Sequence, residues 1–203
     1  MLQPLNPCRR AARSMGLTLI ELMIVVAVLA TLVVLTAPSF KRMIDTQRLR
    51  SVNAALITDL QFARAEAASR NEIVWVRFNS SGSAVTCYVV LIGDPTRCNC
   101  QNTATSVCTA SATTLEIRTV RVEQSLGITV SESNTPALST IGFDPATGRL
   151  WRMPVDIPEP ATAPFQIRVR NSVIGGFLNE LELTGRPTVC SPSGQMTGVP
   201  SSS

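Results

Sequence analysis

Three hydrophobic patterns follow one another along the chain. From Leu17 to Ala37 the residues are almost unbroken apolar, with Glu21 as the one charge; as a helix rising about 1.5 Å per residue they span roughly 31 Å, the thickness of a bilayer's hydrocarbon. Beyond Pro38 apolar residues recur at three- and four-residue spacings (Phe40, Met43, Ile44, Val52, Ala55, Leu56, Phe62, Ala63, Ala67), while Arg42, Asp45, Arg48, Asp59, Arg64, Glu66 and Arg70 fall largely elsewhere. That periodicity predicts one amphipathic helix continuing to a stop at Asn71. Pro38 removes a backbone hydrogen bond and clashes with the carbonyl of Val34, so a bend is expected there.

From Ile73 the period changes to two. Residues 73–78 and 84–92, joined by the turn 79–83, read as a β-hairpin, and further strands are expected at 114–122, 127–130, 139–143, 149–153, 165–170, 177–183 and 187–190. The stretch Pro154 to Pro164, with four prolines, and the Ser-rich tail from Ser191 read as exposed loops. The expected organisation is a leader at 1–16, an apolar half-helix at 17–38, an amphipathic half-helix at 39–71, a β-rich head at 72–190 and a flexible tail at 191–203.

Upstream of the apolar run lie Arg9, Arg10 and Arg13 and no acidic residue, so the positive-inside rule keeps the N-terminus cytoplasmic and sends the head across the membrane. A cleaved secretory signal fits poorly, because its apolar region is about 7–15 residues long and ends at a small-residue cleavage site. An ordinary single-span anchor has no use for Glu21, since a carboxylate at a span's centre costs about 2.5–3.5 kcal/mol and somewhat less nearer its end.

The basic leader, Gly16, and then Leu17-Thr18-Leu19-Ile20-Glu21-Leu22-Met23 resemble the prepilin motif of type IV pilins and type II secretion pseudopilins. The resemblance implies that a membrane peptidase cuts after Gly16 and methylates Leu17. Glu21 then stands fifth and Pro38 twenty-second in the mature chain, where the family carries those residue types; Leu17 departs from the commoner phenylalanine. Two head segments narrow the group. Ile141 to Arg149 (IGFDPATGR) resembles an F-x-P-x-G hairpin one residue longer, and Leu183 to Cys190 (LTGRPTVC) resembles a Gly-Arg-x-Arg-x-Cys end, both seen in GspH/FimT minor pilins and pseudopilins. The implied fold is α+β: a long N-terminal helix, transmembrane in its first half, packed on an antiparallel β-sheet head. In such proteins the first half of the helix packs with its neighbours in a filament core.

Composition narrows the chemistry. The net charge is +4, but the leader holds three of the eighteen basic residues, so the mature side chains balance at +1; that weakens any general case for nucleic-acid binding, which needs a basic excess. The chain has no histidine, which removes Ser-His and Cys-His catalysis and the commonest metal ligand. The charged pairs Glu180/Glu182 and Glu116/Arg118 read as solvated strand faces. No enzyme activity, cofactor or metal is expected. Once Cys8 leaves with the leader, Cys87, Cys98, Cys100, Cys108 and Cys190 remain and should oxidise outside the cytoplasm. Five cysteines form at most two bridges; Cys98 and Cys100, with only Asn99 between them, are poorly placed to bond each other, and the rest of the pairing stays open.

The resemblance implies a minor pilin held in the inner membrane with a periplasmic head, then carried into a cell-surface pilus. Its partners would be prepilin peptidase and other pilins, with Glu21 recognising the methylated amine of an adjacent subunit. Two alternatives remain open. One is DNA capture through Arg186, where Thr188 replaces the motif's second arginine and Arg168 and Arg170 offer a substitute. The other is a GspH-like pseudopilin of a type II secretion system. Against a DNA role, Arg186 would simply pair with Glu180 or Glu182 while Cys190 staples the final strand.

Overall fold

The computed structural model describes residues 18–79, 85–102, 107–109, 113–132, 139–153, 157–192, 196 and 198–201, and no side chains at 36–38, 85 and 124. Gly16, Leu17 and the side chain of Pro38 therefore lie outside the described residues. The chain divides into two compact units, Met1–Met43 and Ile44–Ser203.

One helix, α1 (Leu19–Arg70), runs for 52 residues. It stops where the sequence predicts: Asn71 takes a left-handed backbone (φ 55°), a conformation asparagine tolerates better than most residues and one that ends helices.

Ten strands follow: β1 (Val74–Asn79), β2 (Val85–Ile92), β3 (Leu115–Glu123), β4 (Ile128–Glu132), β5 (Thr140–Phe143), β6 (Leu150–Arg152), β7 (Glu159–Pro160), β8 (Phe165–Asn171), β9 (Gly175–Leu181) and β10 (Pro187–Cys190). They form a six-stranded sheet in the order β3-β2-β1-β5-β6-β7 and a four-stranded sheet in the order β10-β9-β8-β4. Every strand pairing is antiparallel. Alternation writes this directly: in β8, Phe165, Ile167 and Val169 are buried while Arg168 and Arg170 are exposed.

Four expectations need correction. β9 begins two residues earlier than predicted and ends at Leu181, because a turn closes between Glu182 and Gly185, whose N–H donates to the Glu182 carbonyl. The proline-rich stretch 154–164 is not wholly loop. Glu159 and Pro160 pair with Arg152 and Trp151 at the sheet edge, where a proline's missing N–H costs nothing, and Ala161 is buried. The tail likewise folds back: Ser191 and Met196 are buried, and the Ser191 N–H donates to the Pro200 carbonyl. Finally, Glu116 and Arg118 do not share a face. A bulge in the β2–β3 pairing sets Arg118 opposite Val90 and Glu116 opposite Leu91, and an extra residue in one strand reverses the side-chain alternation.

The main core joins the second half of α1 (Leu49, Leu56, Leu60, Ala63, Ala67) to the inner faces of both sheets, through Val76, Phe78, Tyr88 and Phe143 on one and Ile167, Val169, Phe177 and Leu181 on the other. A separate small core lies on the outer face of the six-stranded sheet, where the segment after β2 covers Trp75, Val89 and Leu91 with Cys98, Cys100, Val107 and Cys108. Two disulfides hold that cover, Cys87–Cys100 and Cys98–Cys108. Cys98 and Cys100 thus bond separate partners, as expected. Cys190 is free, so no disulfide staples the final strand.

Candidate functional site

The first part of α1 offers no inward face. From Leu19 to Leu35 its thirteen large apolar side chains are each 51–77% exposed, on every side of the helix. A helix apolar all round is stable only where lipid or other apolar helices surround it, and this helix is long and apolar enough to cross a membrane. Its start is capped: the Thr18 hydroxyl accepts a hydrogen bond from the Glu21 N–H at 3.3 Å, and the Thr18 carbonyl accepts one from the Leu22 N–H. Thr18-x-x-Glu21 has the form of a capping box, with an acidic residue in the first turn where the helix dipole favours negative charge. The Thr-to-Glu spacing signals this local role beside the recognition role expected of Glu21.

Within the head, two buried polar contacts fix the helix against the sheets. The Asp59 carboxylate, 2% exposed, accepts from the Tyr88 hydroxyl at 2.7 Å and from Arg118 Nη1 at 2.9 Å. Burial, and next the hydrogen bond to Asp59, push the Tyr88 phenol far above its ordinary value. Asn53 accepts from Asn179 Nδ2 at 2.7 Å, and both residues are buried. Helical spacing placed Asp59 on the polar face; what it could not show is that a tyrosine and an arginine wait opposite it on β2 and β3.

The two head landmarks meet in space. Asp144 caps its hairpin by accepting from Thr147 Oγ1 and from the Thr147 and Ala146 N–H groups, chiefly through Thr147, which lowers its pKa. Gly148 and Gly185 both have positive φ, and a Cβ on Gly185 would collide with the Gly148 carbonyl and crowd Phe143. Both the left-handed backbone and the close approach demand glycine there.

The three candidate DNA-contacting arginines all lie on the outer face of the four-stranded sheet and are exposed. They do not form one cluster. Arg168 and Arg170 stand opposite Leu178 and Gly176 on β9, whereas Arg186 stands across the turn from Glu182. Glu180, opposite Gln166 and Thr188, lies between them. Among the described residues Arg186 makes no ion pair, so the expected pairing with Glu180 or Glu182 is not formed.

The sequence profile of a family described as "Type II transport protein GspH" matches residues 53–182, 130 of the 203 positions. The chain belongs to the GspH family. That is the GspH/FimT group of minor pilins and pseudopilins to which the motifs point, a family of structural subunits. The chain has no match in sequence among curated proteins. Among solved structures it is similar to two crystal forms of the type IV minor pilin FimU of Pseudomonas aeruginosa. The form in space group P21 is 16% identical with a TM-score of 0.47, over 73% of this chain and 92% of that one. The form in P65 is 17% identical with a TM-score of 0.45, over 71% and 94%. The GspH profile begins at Asn53, so it covers neither the apolar half-helix nor the leader.

Proposed function

We propose that this GspH-family chain is a minor pilin: it is inserted in the inner membrane, processed after Gly16, and built into a type IV pilus through its apolar half-helix, where it helps to start assembly. The observation that carries the reading is the helix from Leu19 to Leu35, apolar on all sides with Glu21 as its one charge. Lipid satisfies the apolar side chains but not the carboxylate, so release into a bundle of like helices, where Glu21 meets a neighbour's N-terminal amine, is favoured by pairing the buried charge. The head then stays outside the inner membrane.

Mass spectrometry of the mature N-terminus together with a Glu21→Ala variant tests this. Methyl-Leu17 is expected in both proteins, and the variant should insert normally yet be depleted from sheared filaments. An uncut leader, or normal recovery of the variant in filaments, overturns the reading. A second reading, a pseudopilin of a type II secretion system, is favoured by the description of the matched family. It predicts the same processing, but loss of protein export rather than of pili when the gene is deleted.

A further inference from the structure

We infer that one end of the head carries a preformed apolar rim, Leu126 and Val173, that rests in the lipid headgroup layer while the chain waits in the membrane. Val173 is 76% and Leu126 44% exposed. They are neighbours: Ile128, two residues after Leu126, pairs with Asn171, two residues before Val173. The presentation is rigid. The buried Asn171 side chain accepts hydrogen bonds from the Val173 and Ile174 N–H groups, and Ile174 packs on the main core while Val173 faces out.

Two routes through the fold place this rim at the end of the head where α1 enters. Asn179 touches Asn53. From Asn179 back to the start of β9 is four residues, about 13 Å of strand, and the same length on the helix is about nine residues, which reaches Ile44. The strand and helix run the same way, because further along them Gly185 abuts Gly148, which lies against Arg64. Independently, Arg118 is bonded to Asp59. From Arg118 through the end of β3 and the short 3₁₀ turn Gln124–Leu126 is about 23 Å, and fifteen helical residues back from Asp59, about 22 Å, is again Ile44.

Ile44 is 40% exposed and opens the head unit. This inference rests on residues 17–38 being the span. From Pro38 to Ile44 is then about 9 Å of helix, and the headgroup layer is roughly 5–7 Å deep on each side of the hydrocarbon, so side chains projecting from the rim reach it. Charge agrees: Arg48 and Arg170, at the same end, have no ion-pair partner among the described residues and suit anionic headgroups, against Glu123 as the nearby acid.

The test uses the full chain in vesicles of phosphatidylethanolamine and phosphatidylglycerol whose acyl chains are brominated close to the glycerol. Bromine should quench the emission that Val173→Trp and Leu126→Trp add to the wild-type background of Trp75 and Trp151. Leu115→Trp, equally exposed at the opposite end of β3, should keep its emission. Quenching no greater than in that control overturns the rim's contact with lipid. So does added emission that changes with protein-to-lipid ratio but not with bromine, which would mean that a second copy covers the rim. Failure of the span itself is seen separately: the wild-type chain would wash off the vesicles in alkaline carbonate, and the inference would fall with it.

Discussion

Asp59 shows how much one residue can hold. Its carboxylate sits in an apolar core, stabilised by a phenol and a guanidinium, and Tyr88 is the chain's one tyrosine. Tyrosinate absorbance of the folded protein therefore reports this contact alone. Because the folded phenol titrates far above the ordinary value near 10, it should stay protonated as pH passes 10. The unfolded chain then binds fewer protons than the folded one, so stability is intact below pH 10 and falls by about 1.4 kcal/mol for each unit above it. Absorbance should rise only as the protein unfolds; a smooth rise near pH 10 in folded protein would show that the phenol is not buried against Asp59. At Arg186 the expectation is the reverse of a site. With Glu180 and Glu182 between it and the β8 arginines, Arg186→Ala should leave duplex DNA binding unchanged at low salt, and Thr188→Arg should add little. A drop for the first change and a gain for the second would instead establish a phosphate contact.

At the scale of elements, the two disulfides matter because the core they cover is so small. Four of its eight buried residues are the bonded cysteines themselves, so the cover on Trp75 has few other apolar anchors, although Arg121 also donates to the Cys100 and Asn102 carbonyls. Cys98→Ser with Cys108→Ser should cost about 2–4 kcal/mol in denaturant unfolding and raise the exposure of Trp75 to aqueous quenchers. Unchanged quenching would mean that packing holds the segment without its staple. The strand series was legible because alternation survives in single strands: β8, β10 and the β1–β2 hairpin lie within a residue or so of their expected bounds. The faces were harder. A one-residue bulge in β3 turned Arg118 inward, and Phe62, counted on the apolar side of α1, is 37% exposed while Leu49 and Leu60 carry the packing. Local spacing marks a stripe; which edge of the stripe is covered depends on two sheets that the helix alone does not encode.

For the whole molecule, the family and the broad architecture could be read from the apolar run, the leader and two glycine-bearing landmarks. That Gly148 and Gly185 touch could not, since thirty-six residues separate them and each reads alone as an ordinary turn. The cover over Trp75 was likewise hidden. Its sequence from Gly93 to Thr113 is polar and patternless, and only the cysteine pairing turns it into structure.

The polar contacts at Asn53 and Asp59 bear on mechanics. An apolar seam alone resists sliding weakly, because one greasy contact replaces another as a helix shifts by a turn. Asn53 and Asp59 have no such substitutes: displacing α1 by a turn, about 5.4 Å, would strand a buried carboxylate, a phenol and two amides at once, each without its partner. The second half of α1 is thus latched lengthwise rather than merely greased in place. Tension drawn along the helix axis meets these latches in shear, several side chains together, and passes into both sheets at points set far apart on the rod.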